Sequence, residues 1–228
     1  MTVSSWAAAR GLVLLSASVE GGGLDPPEMS AMAIGRLQYP GGGDWYANPS
    51  SLPNLARAIR ARTRLRVADR EKVVTLEDDD LWNVPYLYMT GHGNVNFTEA
   101  QLRTLRRYLE QGGFLHADDN YGMDVSIRRE LARLYPDREL VEVPLDHPIY
   151  NVVYRLPEGI PKVHDHDGKP AQGFGIFIDG RLAVFYSYQS DLGDGWEDPE
   201  VHRDPPEVRE PALRMGVNLF AYAVGYAG

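Results

Sequence analysis

Residues able to carry chemistry are gathered in a few short polar segments of this chain. His92 stands between two glycines in Thr90-Gly91-His92-Gly93-Asn94, and Asp118 and Asp119 directly follow the apolar Phe114 to Ala117. His164 and His166 alternate with Asp165 and Asp167, and Asp191 opens an acidic stretch that runs to Asp198. Gly41, Gly42 and Gly43 precede Asp44 and Trp45. Histidines two apart on an extended segment face one side, a usable spacing for two metal ligands with carboxylates as partners. The candidate metal ligands are therefore His92, His164 and His166, for a divalent ion. Asp118 and Asp119 are the candidate catalytic carboxylates, one of them activating a water. Gly41, Gly42, Gly43, Trp45 and Asp191 are the candidate ligand-binding residues, the glycines by offering backbone N–H groups to an anion.

Each segment has a plainer reading that the sequence leaves open. His92 also suits a turn, and Asp118-Asp119 a helix cap beside a solvated carboxylate. The glycine run lacks a Walker lysine and the dinucleotide spacing, so a tight turn competes with phosphate binding. His-Asp alternation occurs in ordinary turns, and no HExxH helix accompanies it. Asp191 to Gly195 lacks the alternating ligands and terminal Glu of a calcium loop. Ser187 and Ser190 have no nucleophile-elbow motif around them.

Composition narrows the chemistry. With no cysteine, disulfides, thiolate metal sites and thiol nucleophiles are all excluded. A net charge of −9 argues against a nucleic-acid partner, which calls for clustered Lys and Arg. Arg57, Arg60, Arg62, Arg103, Arg106 and Arg107 instead read as solvated helix faces. No apolar run approaches the roughly 20 residues that span a bilayer. Gly11 to Val19 is either a degenerate signal-peptide core or an element packed on the domain.

The elements that must position these residues follow from periodicity. Glu20 to Glu28 is a Gly- and Pro-rich linker, which makes residues 1–32 an extension and 33–228 a single α/β domain. Ala33 to Gln38 reads as the first strand. A helical stripe of Leu52, Leu55, Ala56 and Ile59 follows Ser50-Ser51, and Pro85 to Thr90 reads as a buried strand. Thr98 and Gln101 form a capping box, Phe97 and Leu102 a hydrophobic staple, and Gly112 the C′ stop of a helix burying Leu102, Leu105 and Leu109. Phe114 to Ala117 is a further buried strand, and a helix spans about Val125 to Tyr135. Such alternation makes a mostly parallel sheet in three layers, flavodoxin-like in class. Asp179-Gly180 then marks the turn of a late antiparallel hairpin burying Phe177 and Phe185. A last helix carries Leu213, Val217, Phe220 and Val224 on one face. In a parallel sheet, ligands bind at the carboxyl ends of the strands, and the polar segments fall there.

Thr98 to Asp119 resembles the helix–strand unit of class I glutamine-amidotransferase-like and trehalose-utilisation-type proteins, as does Asp146-His147-Pro148-Ile149. That resemblance implies an amidotransferase-like fold with Asp118-Asp119 at the turn where amidotransferases carry cysteine, so thiol glutaminase chemistry is not expected. More specifically, the chain from about 33 to 225 is similar to a bacterial family of domains of unknown function, number 4159. The similarity lies in YPGGGDWYANPSSLPNL, YLYMTGHGN, GGFLHADDNYGMD, Lys162 to His202 and the terminal ALRMGVN. Members are often exported or fused to membrane-anchored modules. The compartment is cytoplasmic or exported, with export implied by the resemblance alone. Two functions are expected. The first is a His/Asp cleft for a small polar ligand or divalent metal, with hydrolysis as its reaction. The alternative is a non-catalytic interaction module of the cell envelope, contacting a protein partner through Trp45, Tyr46, Trp196 and the acidic stretch.

Overall fold

A computed structural model describes residues 31–226; the readings of Gly11 to Val19 and of the linker lie outside the described residues. Seven strands form one sheet: β1 (Ile34–Leu37), β2 (Lys72–Val74), β3 (Tyr86–Gly91), β4 (Phe114–Asp119), β5 (Val141–Glu142), β6 (Gln172–Ile178) and β7 (Arg181–Tyr188). Their order is β2-β1-β3-β4-β7-β6-β5. β2, β1, β3, β4 and β7 run parallel, while β6 is antiparallel to both β7 and β5. The helices are α1 (Ser51–Arg62), α2 (Glu99–Glu110), α3 (Asp124–Leu134), α4 (Leu192–Trp196), α5 (Pro199–His202) and α6 (Pro206–Ala223). The fold is α/β, and among the described residues no helix is long and apolar enough to cross a membrane.

β3 and β4 are buried at every position, as expected of central parallel strands covered on both faces. Alternation along them feeds two cores. Tyr86, Tyr88 and Phe114 pack with Leu55 and Ile59 of α1 and Phe220 of α6. Leu87, Met89 and Leu115 pack on the opposite face with Leu105 of α2 and Ile127 of α3. The connections after β1 and β3 therefore leave to opposite faces, and so do those after β4 and β7. Each such divergence opens a crevice at the carboxyl edge.

The local signals that set these elements are visible in the bonds. The Thr98 hydroxyl accepts the Gln101 N–H at 3.2 Å, and the Gln101 side chain accepts the Thr98 N–H at 2.9 Å. At the other end of α2, Gly112 (φ 105°) and Gly113 donate to the carbonyls of Leu109 and Tyr108, a Schellman closure. Asp179 (φ 50°) and Gly180 (φ 79°) form the hairpin turn. Phe185 is buried, but Phe177 is only half-buried, because a bulge between Ile176 and Phe177 shifts the register there. On α6, Val217 and Phe220 are buried while Leu213, and Val224 just past its end, are half-buried; the helix buries a broader face that includes Met215, Leu219 and Ala221. The acidic stretch is not an open loop. Its residues form α4 and lead into α5, and Trp196 is fully buried with its indole N–H donating to the Ala212 carbonyl at 2.8 Å. Trp196 thus lies in the core and offers no contact surface.

Candidate functional site

Parallel topology brings the loops after β1, β3, β4 and β7 to one edge. Because β6 runs the opposite way, the segment entering it, which carries His164 and His166, arrives at the same edge. Three histidines and three aspartates meet there. His164 Nδ1 lies 2.9 Å from Asp194 Oδ2, and its Nε2 lies 3.0 and 3.2 Å from the two Asp204 oxygens. His202 Nε2 is 3.8 Å from Asp194 Oδ1. His166 Nε2 is 2.5 Å from Asp191 Oδ2, which stands 3.9 Å from His164 Nδ1. Donor atoms of His164, Asp194 and His202 all fall within 4.8 Å of one another, and this is the only such group of three or more among the described residues.

The surroundings hold that group in place. Asp194, whose side chain is only 12% exposed, has Oδ1 bonded by the side-chain amides of Asn48 (2.8 Å) and Asn120 (3.2 Å). Asn120 Nδ2 also donates to Asn48 Oδ1, and the Thr90 hydroxyl donates to Asn120 Oδ1. Buried Arg36 of β1 donates to the Ala47 and Asn48 carbonyls, fixing the loop from which Asn48 projects. Asn48 itself sits at φ 57°, a left-handed conformation that asparagine tolerates.

Asp118 and Asp119, adjacent on β4, point to opposite faces as strand alternation requires. Asp118 is fully buried. Its Oδ2 accepts from Tyr88 (3.1 Å) and the Gly193 N–H (2.7 Å), and its Oδ1 from Ser187 (2.5 Å) and the Leu192 N–H (3.3 Å). It therefore anchors the first turn of α4, the helix that carries Asp194. Behind it, Tyr86 donates to His116 Nδ1 (2.7 Å) and His116 Nε2–H to Ser187 (2.8 Å). Ser, His and Asp thus meet, but the carboxylate bonds the serine rather than the imidazole, and all three are sealed from solvent. Such an order cannot activate a nucleophile. Asp119 accepts from the Met123 N–H (2.9 Å) and Tyr186 (3.2 Å) and so ties the turn into α3.

Burial governs the protonation of this region. It pushes the Asp118 carboxyl up to about 6 against the bonds from Ser187 and Gly193. It pushes Asp191 up to about 8, with repulsion from Asp118 and Asp194 adding to the shift. Burial also drives His116 down to about 3, so that ring is neutral. Asp191 Oδ1 is buried and has no hydrogen-bond partner. His166 covers it from outside, its ring stacked 4.3 Å from that of Tyr121.

The remaining expected residues lie apart from this group. His92 occupies the crevice between β1 and β3, its side chain 59% exposed. Its ring Nδ1–H donates to Asp44 Oδ2 at 2.9 Å, and its backbone N–H to Asp44 Oδ1 at 2.5 Å. Those bonds hold the Asp44 carboxyl below its ordinary value against the opposing effect of burial. The Gly41-Gly42-Gly43 loop does not open a helix, since α1 starts only at Ser51. It is tied across to the segment after β3: Gly43 N–H donates to the Asn94 carbonyl, Asn96 N–H to that of Pro40, and Asn94 Nδ2 to that of Gly41. Trp45 is half-buried against the α2–α3 core, with Tyr46 packed edge-on and exposed.

The structure thus brings His164, His166, Asp191 and buried Asp118 to one place and leaves His92 and Asp119 outside it. Asp194, His202, Asp204, Asn48 and Asn120 are added by the fold. His202 and Asp204 carry no short-range spacing to His164; the string similar to the family ends at His202 and stops short of Asp204. A family model described as Domain of unknown function (DUF4159) matches residues 33–224. None of the curated proteins compared matches the chain.

Proposed function

The chain belongs to the DUF4159 family, and we propose that it binds a divalent metal at the carboxyl edge of its sheet and uses that ion to hold and hydrolyse a small polar ligand. The ligands are His164 Nδ1, Asp194 Oδ2 and His202 Nε2. The observation that carries this reading is the convergence of three donor atoms within 4.8 Å from three separate segments. Their arrangement supports it: Asp204 takes the outer N–H of His164, and two amides take Oδ1 of Asp194, which leaves His164 Nδ1 and Asp194 Oδ2 for an ion. Three protein ligands leave at least one position open, which is the composition of a catalytic rather than a structural site. His202, the most exposed of the three, sets that position toward solvent. The nearby carboxylates of Asp118 and Asp191 repel that of Asp194, and a dication placed among them offsets the repulsion. A bound water would there be acidified and directed at an electrophilic ligand atom.

Elemental analysis of protein purified without a histidine tag tests the reading. One equivalent of divalent metal is expected in the parent chain. His164→Ala and, separately, His202→Ala should lose it while the metal-free melting temperature stays within a few degrees. A parent chain that neither retains nor takes up metal would refute the proposal.

A further inference from the structure

We infer that this site selects a nitrogen-seeking transition metal of the zinc type over calcium, and that Asn48 and Asn120 are the residues that enforce the choice. The inference rests on the metal reading above and specifies which ion it takes.

Calcium is held by six to eight oxygens, often including a carboxylate that binds through both of its atoms. Asp194 cannot offer both. Its Oδ1 already accepts Asn48 Nδ2 at 2.8 Å and Asn120 Nδ2 at 3.2 Å, leaving Oδ2 alone for an ion. The two amides are locked in that orientation, because Asn120 also donates to Asn48 Oδ1 and accepts from Thr90. Neither is free to turn its carbonyl inward and add the oxygen that a hard cation would require. Asp204 could supply oxygens, but both of its atoms face His164 Nε2, the side of the ring away from the site. Asp191 Oδ2 stands 3.9 Å from His164 Nδ1 but is already paired with His166 Nε2 at 2.5 Å. What remains is two imidazole nitrogens and one carboxylate oxygen, a set that suits zinc, cobalt or iron and starves calcium. Asn48 and Asn120 act through Asp194 and touch no ion themselves, so they are positioning residues.

The test uses the full chain, stripped with a chelator and titrated with Zn²⁺, Co²⁺ and Ca²⁺. One equivalent of Zn²⁺ or Co²⁺ should bind, with the visible absorption of four- or five-coordinate Co²⁺, and millimolar Ca²⁺ should not displace it. Asn48→Gly removes the amide while keeping the φ of 57° that glycine accepts; Asn120→Ala is a second, independent variant. Each should weaken zinc binding by about 10- to 100-fold and narrow the zinc-to-calcium ratio, with the bound Co²⁺ spectrum altered. Zinc affinity and ratio unchanged in both variants would overturn the role of the amides. A parent chain that binds calcium as tightly as zinc would overturn the selection while leaving the metal site standing. A parent chain that binds neither zinc nor cobalt would overturn the metal reading and this inference with it.

Discussion

Adjacent aspartates on β4 have separate fates because a strand sends neighbours to opposite faces. Asp118 enters the α1–α6 face and anchors the turn beneath Asp194; Asp119 enters the α2–α3 face and secures Met123. Their position after a buried strand was readable from FLHADD, but the division of labour was not, since alternation gives two faces without saying which holds a site. His164 and His166 were readable as a pair from their spacing. Their true partners were not, because His202 and Asp194 join them only through the reversal of β6 and the compact turn of α4. His92 was singled out for its flanking glycines, and those do expose it, yet its partner is Asp44 across the next crevice. The face argument makes a prediction. Asp119→Ala should cost about 1–2 kcal/mol, the loss of the acceptors for the Met123 N–H and the Tyr186 hydroxyl. Zinc binding should stay unchanged, because Asp119 lies on the other side of the sheet from His164. Urea unfolding and a zinc titration on the same variant check both halves.

At the scale of elements, legibility followed the strength of the local code. α2 was specified at both ends, by reciprocal capping bonds and by a glycine at positive φ. The hairpin was specified by Asp-Gly, where both residues take the left-handed φ that a two-residue turn demands. β2 and β5 went unread because strands of three and two residues are too short to show a period. α4 and α5 went unread because LGDGW and PEVH are poor helix formers, held instead by Asp118 and by the indole of Trp196 in the core. Tertiary contacts decided those segments, not propensity. The two ends of α2 should differ in their sensitivity. Thr98→Ala removes one cap bond and should cost about 1 kcal/mol. A β-carbon at Gly113 would lie 2.4 Å from the Tyr108 ring, which is buried and bonded to the Val84 carbonyl. Gly113→Ala should therefore cost about 2–3 kcal/mol, as overpacking does. Equal unfolding midpoints for the two variants would contradict this account of the C-terminal stop.

At the scale of the whole molecule, the buried relay Tyr86–His116–Ser187–Asp118 couples the centre of the sheet to the stability of the entire chain. It contains two titrating groups of opposite sign. His116 is held near 3 in the folded chain by burial, against about 6.5 when unfolded. The unfolded state thus binds the extra proton as pH falls below 6.5, and stability drops. Asp118 is held near 6 in the folded chain, against about 3.9 when unfolded. Here the folded state binds the extra proton between those values, so its contribution is fully present at low pH and is lost as pH rises through 6. Between pH 7 and pH 5 the two effects oppose each other, each on the order of 1–2 kcal/mol. Single substitutions separate them. The stability penalty of Asp118→Asn, measured against the parent chain, should grow by about 1 kcal/mol from pH 7 to pH 5, because the parent gains from protonating Asp118 and the variant cannot. The penalty of His116→Gln should shrink over the same interval, because the parent alone suffers from keeping a neutral imidazole. Urea unfolding of metal-free parent and variants at the two pH values gives both differences directly, and surface titrations common to all three cancel. Penalties that move in the same direction with pH would show that the relay does not hold its imidazole neutral and its carboxyl protonated at the acid end of that window.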